Sequence, residues 1–120
     1  MASPLIPFMP DGVYHIYNHA VGSDNIFKED ENYLFFLRKF ASCITLFADV
    51  LSYCLMPNHF HFVLRIKDEK HLDKIWSEKL NRKKLNHSDF NNTIITTQFA
   101  NLFNSYVQAF NRKYFRQGTL

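Results

Sequence analysis

The chain has 120 residues, 47% of them hydrophobic and 21% charged, a globular composition with room for one modest core. A net charge of +3 permits a polyanionic partner without demanding one. No apolar run approaches the roughly 18 residues that span a bilayer, and the opening MASPLIPFMPDG, broken by prolines and lacking a basic region, is not a secretory signal.

The 13 phenylalanines point to a core built from rings on a few long elements. Gly12 to Val21 alternates Val13, His15, Tyr17 and His19 against Tyr14, Ile16, Asn18 and Ala20. Both sets carry rings or aliphatics, which predicts a strand covered on at least one face. VGSDN then breaks it with turn residues. From about Glu29 to Phe47 the period becomes helical, with Tyr33, Phe36, Leu37, Phe40, Ile44 and Phe47 on one stripe. Asp30 and Glu31 suit the N-terminal end of that helix dipole. A second strand is predicted from about Val50 to Met56, Pro57-Asn58 is a tight connection, and HFHFVLRIK is a third strand. The stretch YCLMPNHFHFVLRI across that connection reads as buried strand. Cys43 and Cys54 lie outside any metal or redox spacing and read as reduced core residues of a cytoplasmic protein.

After Lys67 charge dominates. Leu72, Ile75, Trp76 and Leu80 have helical spacing, which predicts a short surface helix leading into a mobile basic loop at Arg82, Lys83 and Lys84. That loop reads either as a solvated face or as a groove for a phosphate backbone. The last predicted element is a helix capped by Thr96 or Thr97. Its apolar stripe is Phe99, Leu102, Phe103, Tyr106, Phe110 and Tyr114. Asn104, Gln108, Arg112 and Lys113 on the remainder are side chains that suit base edges and phosphates as well as solvent.

His59 and His61 are separated by Phe60 alone. Alternate strand residues share a face, so the two imidazoles stand side by side, roughly 6–7 Å apart at Cβ, with Phe60 and Phe62 on the reverse. A divalent ion about 2.0–2.2 Å from each ring nitrogen bridges that gap, and packing on the reverse face holds the pair rigid. The alternative is a pair of satisfied core or surface histidines. The position favours the metal: the pair starts directly after the turn, at a strand end that substrate can reach.

MPNHFHFVL, with its His-hydrophobic-His pattern, resembles the metal motif of the single-tyrosine HUH transposases of bacterial insertion sequences. GVYHIYNHAVGSDNIFKEDENYLFFLRKF resembles that family's opening strand and first helix, and FANLFNSYVQAFNRKYFRQGTL the helix before its next strand. The branch it is most similar to includes the REP-associated tyrosine transposases. The likeness runs from about Gly12 to Leu120.

The resemblance implies an α+β fold, a ferredoxin-like or RRM-like sandwich with an antiparallel sheet in β-α-β-β-(α)-α order. It implies Mg²⁺ or Mn²⁺ held by His59 and His61 against the scissile phosphate of single-stranded, hairpin-forming DNA. It further implies attack by a tyrosine on a later helix, giving a 5′-phosphotyrosine link that allows rejoining. Imidazole ligands make Mn²⁺ the easier ion to rationalise. The family's nucleophile and third metal ligand lie on a helix after a fourth strand, and neither has a counterpart here. The expectation is therefore a single domain at 1–120, truncated relative to the family, with an exposed sheet edge that favours a homodimer. Tyr106 and Tyr114 are the late tyrosines, both on an apolar stripe where packing is the competing role. His19 and, behind it, His15 are candidates for a third ligand.

Two rival classes remain open on the sequence. One is a non-catalytic RRM-like nucleic-acid-binding module that stacks bases on the sheet, which leaves the histidine pair unexplained. The other is a metal-dependent hydrolase, which needs a nearby carboxylate or third histidine; Asp11 and Asp49 are too loosely placed to nominate.

Overall fold

The computed structural model of the chain describes residues 7–22, 24–79 and 87–120. The elements run β1 (Val13–His19), α1 (Asp30–Ile44), β2 (Ala48–Met56), β3 (His59–Ile66), α2 (Glu69–Lys79) and α3 (His87–Tyr114). The strands form one antiparallel sheet in the order β1-β3-β2, so β3 is central and β1 and β2 are its edges. The fold is α+β, with an open sheet and helices packed against it.

The alternation in β3 decides where the core lies. Phe60, Phe62, Leu64 and Ile66 are buried, whereas His59, His61 and Val63 are half-exposed. The buried face is covered by Phe36, Phe40 and Ile44 of α1 and by Phe99, Leu102, Phe103, Tyr106 and Phe110 of α3. Phe40 stacks on Phe62 with centroids 3.9 Å apart and planes inclined by 10°. Phe36 and Phe103 meet Phe60 at 5.2 and 5.9 Å. Burying each such ring contributes about 1.5–3 kcal/mol over leaving it in water.

One buried polar side chain orders the entry to α1. Asn32 Oδ1 accepts from the backbone N–H groups of Lys28 and Glu29 at 2.8 and 3.0 Å, satisfying donors that a helix start leaves unpaired. The segment before α1 is also tied to the β2–β3 turn. The N–H groups of Ile26 and Phe27 donate to Pro57 O at 2.8 and 3.0 Å, and Ala20 N–H donates to Asn58 O at 2.8 Å.

Several expectations need correction. Helix α1 stops at Ile44, because Phe47 N–H turns back to Ile44 O at 3.1 Å and Ala48 already pairs with Ile66. Strand β2 therefore begins two residues before the predicted Val50. It is an edge strand with a largely exposed surface, and Cys54 is exposed instead of lying in the core. Helix α2 is not a surface helix, since Leu72 and Trp76 are fully buried and Trp76 packs 6.2 Å from Phe47. Helix α3 starts well before Thr96 and Thr97; Thr97 Oγ1 donates to Thr93 O at 2.8 Å inside the helix and caps nothing. Leu80, Arg82, Lys83 and Lys84 lie outside the described residues. No helix among the described residues is long and apolar enough to cross a membrane.

Candidate metal centre

Strands β1 and β3 pair with His19 opposite His59, Tyr17 opposite His61 and His15 opposite Val63. Directly opposed residues share a face of a sheet. The face away from Phe60 and Phe62 therefore carries His15, Tyr17, His19, His59 and His61 together. The expected pair on β3 is present, and the β1 histidines lie directly beside it.

The rings of His59 and His61 have centroids 5.2 Å apart and planes at 85°. An imidazole centroid lies a little over 1 Å behind its ligating nitrogen. Two such rings on one ion at 2.0–2.2 Å thus have centroids roughly 4.5–5.5 Å apart for octahedral-to-tetrahedral angles. The observed separation falls within that range.

His61 Nδ1 lies 2.8 Å from His15 Nε2. With centroids 5.0 Å apart, that contact places the two rings edge to edge and not face to face. His59 Nδ1 is 2.8 Å from Asn58 Oδ1. An amide oxygen only accepts, so His59 Nδ1 carries the hydrogen of that contact. The His19 ring stands 5.0 Å from that of His59. Tyr17 is 58% exposed, with its ring 4.8 Å from His15 and 5.8 Å from His61, an open aromatic surface at the site.

The charge state of His61 suits ligation. Loss of solvent around the ring, followed by the neighbouring charges of His15, His59 and His19, holds its pKa below the ordinary imidazole value. Both causes disfavour the charged ring. Among the described residues, no three His, Cys, Asp or Glu side chains converge as a ready metal cage.

The other candidates lie elsewhere. Tyr106 and Tyr114 are on α3, which covers the Phe60 face, so the sheet separates Tyr106 from the histidines. Tyr106 is 2% exposed, its hydroxyl donates to Ile26 O, and burial pushes its phenol well above the ordinary value. Tyr114 donates to Glu29 Oε1 at 2.7 Å, and burial, then that bond, raises its phenol as well. Asn104, Gln108 and Arg112 are exposed along α3. Lys113 is engaged by Glu29 and Glu31, which offset its charge. None of these α3 residues is brought to the histidine face.

Sequence reasoning did not name Tyr17 or Asn58 beside the histidine pair, and took His19 and then His15 as candidates from their shared face of β1. The signal was the shared parity of His15, Tyr17 and His19, but which β3 residue each would face depends on register. Comparison of the chain with protein-family models, curated proteins and solved structures gave no match.

Proposed function

We propose that this is a DNA-handling domain of the single-tyrosine HUH transposase type, binding single-stranded DNA on the open face of its sheet with Mg²⁺ or Mn²⁺ at His59 and His61. The observation that carries this reading is the right-angled His59–His61 pair at 5.2 Å on the central strand. The β-α-β-β-α-α order and the β1-β3-β2 sheet support a ferredoxin-like sandwich in which a further strand would pair along the outer edge of β1. When bound, the ion polarises a non-bridging phosphate oxygen and orients the phosphorus for in-line attack.

The chain's own residues supply the rest. Phe60 and Phe62, both buried, fix the strand so that the imidazoles do not drift. His61, whose pKa is held below the ordinary imidazole value, offers a ring nitrogen. The exposed ring of Tyr17 gives an unpaired base a surface to stack on. In the complete reaction a tyrosine forms a 5′-phosphotyrosine bond and the 3′ oxygen leaves as a free hydroxyl. Tyr106 and Tyr114, committed to Ile26 and Glu29, do not supply that nucleophile.

A non-catalytic base-stacking module is the second reading, favoured by Tyr17 beside two imidazole rings. Labelled single-stranded DNA with Mn²⁺ or EDTA separates the two. The metal reading expects binding that strengthens with Mn²⁺ and falls in the His59→Ala/His61→Ala double variant. Equal binding in EDTA, unaltered by that variant, overturns it and leaves the stacking module. Free 5′-phosphate ends without a protein adduct would instead indicate a hydrolase. A covalent adduct lost on Tyr17→Phe would place the nucleophile on β1. A homodimer joined along the outer edge of β1 or β2 belongs to the same proposal, and light scattering of the purified chain checks it.

A further inference from the structure

For each histidine of the pair, the Nδ1 nitrogen already has a partner. Asn58 Oδ1 stands 2.8 Å from Nδ1 of His59, and His15 Nε2 stands 2.8 Å from Nδ1 of His61. We propose that Asn58 and His15 are positioning residues that hold these two Nδ1–H groups, so that both rings present Nε2 to a divalent transition-metal ion. This rests on the metal reading above and goes beyond it by naming the ligating atoms and the residues that orient them.

The two orienting groups are chemically different and reach the pair from different elements. Asn58 belongs to the β2–β3 turn, and its backbone is fixed by Ala20 N–H on its carbonyl and by Ile26 and Phe27 N–H on the carbonyl of Pro57. A side chain on so constrained a backbone can select one tautomer of His59. His15 approaches from β1, with its ring edge on the edge of His61 and the Tyr17 ring 4.8 Å away. For His61 to ligate through Nε2, its Nδ1 donates, His15 Nε2 accepts, and His15 carries its own hydrogen on Nδ1. The opposite tautomer, with His15 donating, leaves the hydrogen of His61 on Nε2 and blocks that atom. Hydrogen bonds of this kind to the far nitrogen fix both ring orientation and ligand basicity.

The test is calorimetric titration of the full chain with Mn²⁺, together with ring-nitrogen NMR using diamagnetic Zn²⁺. His15→Ala and Asn58→Ala are expected to weaken Mn²⁺ binding by about 10–100-fold, with thermal melts unchanged because both side chains are exposed. His15→Gln, whose amide oxygen can accept from His61 Nδ1–H, is expected to restore most of the affinity. Zn²⁺ should shift Nε2 of His59 and His61 and leave their Nδ1 nitrogens protonated. If both alanine variants bind as the parent chain does, while His59→Ala and His61→Ala lose the ion, the positioning role is overturned and the metal reading stands. If His15→Ala loses as much as His61→Ala, and Zn²⁺ moves His15 Nε2, His15 is a ligand and the proposal is equally overturned. A parent chain that takes up neither ion removes the metal reading itself, and the positioning role with it.

Discussion

Tyr106→Phe tests how firmly the helical layer is tied to the segment that holds the β2–β3 turn. The Tyr106 hydroxyl donates to the carbonyl of Ile26, a fully buried residue. The N–H of that same residue donates to Pro57 O at 2.8 Å, one position before Asn58. Removing the hydroxyl leaves the ring's contacts with Phe36 at 5.3 Å and Phe27 at 5.6 Å in place, so no large cavity opens. What changes is a buried carbonyl that loses its side-chain donor. A typical hydrogen bond contributes about 0.5–1.5 kcal/mol, and a buried acceptor stripped of its partner costs about 1–3 kcal/mol, so the loss should be about 1–3 kcal/mol. With an unfolding entropy of about 2.1 cal/mol/K per residue, a chain of this length loses about 4 °C of Tm for each kcal/mol, giving a fall of about 4–12 °C. Circular-dichroism melts, backed by urea titrations with an unchanged m-value, read it directly. A shift below about 1 °C would mean that the carbonyl has another donor and that the link from α3 to the turn carries no weight. The same variant should bind Mn²⁺ as the parent chain does, since the phenol stands across the sheet from the imidazoles.

Other expectations are simpler to state. Phe62→Ala should cost about 3–5 kcal/mol in urea unfolding, from cavity formation and the lost Phe40 stack, whereas His61→Ala should stay within about 0.5 kcal/mol as a half-exposed change; equal losses would contradict the two-faced reading of β3. The hydrogen bond from Tyr114, then the one from Lys113, holds the Glu29 carboxyl below its usual range. Its folded-state pKa is therefore the lower one, and the stabilisation is present above the usual carboxylate value and disappears as pH falls through the folded pKa. Glu29→Gln should flatten the acid limb of the stability–pH curve, and an unchanged limb would refute the assignment. Cys54, exposed on β2, should react with a thiol reagent in the native state well before the half-buried Cys43; similar rates would place Cys54 inside the fold.

The strands and the first helix were legible because their periods are clean. The alternation of β3 marks Phe60 and Phe62 as core and His59 and His61 as the other face, and the helical stripe from Tyr33 to Ile44 marks α1. What local pattern leaves open is pairing. Nothing in GVYHIYNHAV states that its neighbour is β3, or that His15 will reach His61 from two register positions away. Strand β2 read as buried because its residues are apolar, yet its place at the sheet edge leaves Leu51, Tyr53 and Met56 more than 40% exposed. Trp76 sits among charged neighbours, and its burial comes from docking against Phe47. The tyrosines of α3 were rightly weighed as packing residues, but their carbonyl and carboxylate partners come from the segment before α1, some 80 positions away.

The irregularity in β2 decides what else looks onto the histidines. Val50 pairs with Leu64 and Ser52 with Val63, so Leu51 is an extra residue with no partner of its own. A strand normally keeps one parity from end to end, and this insertion resets it. Ahead of it, Ala48 closes the core opposite Ile66; beyond it, Cys54 stands opposite His61 and Met56 opposite His59. Nine consecutive residues thus serve two sides of the sheet in turn, and the second side receives a thiol and a thioether. The open face is consequently bordered by sulfur along one flank and imidazole along the other, and the exposed Cys54 and Met56 are the groups on it that an oxidant would modify first.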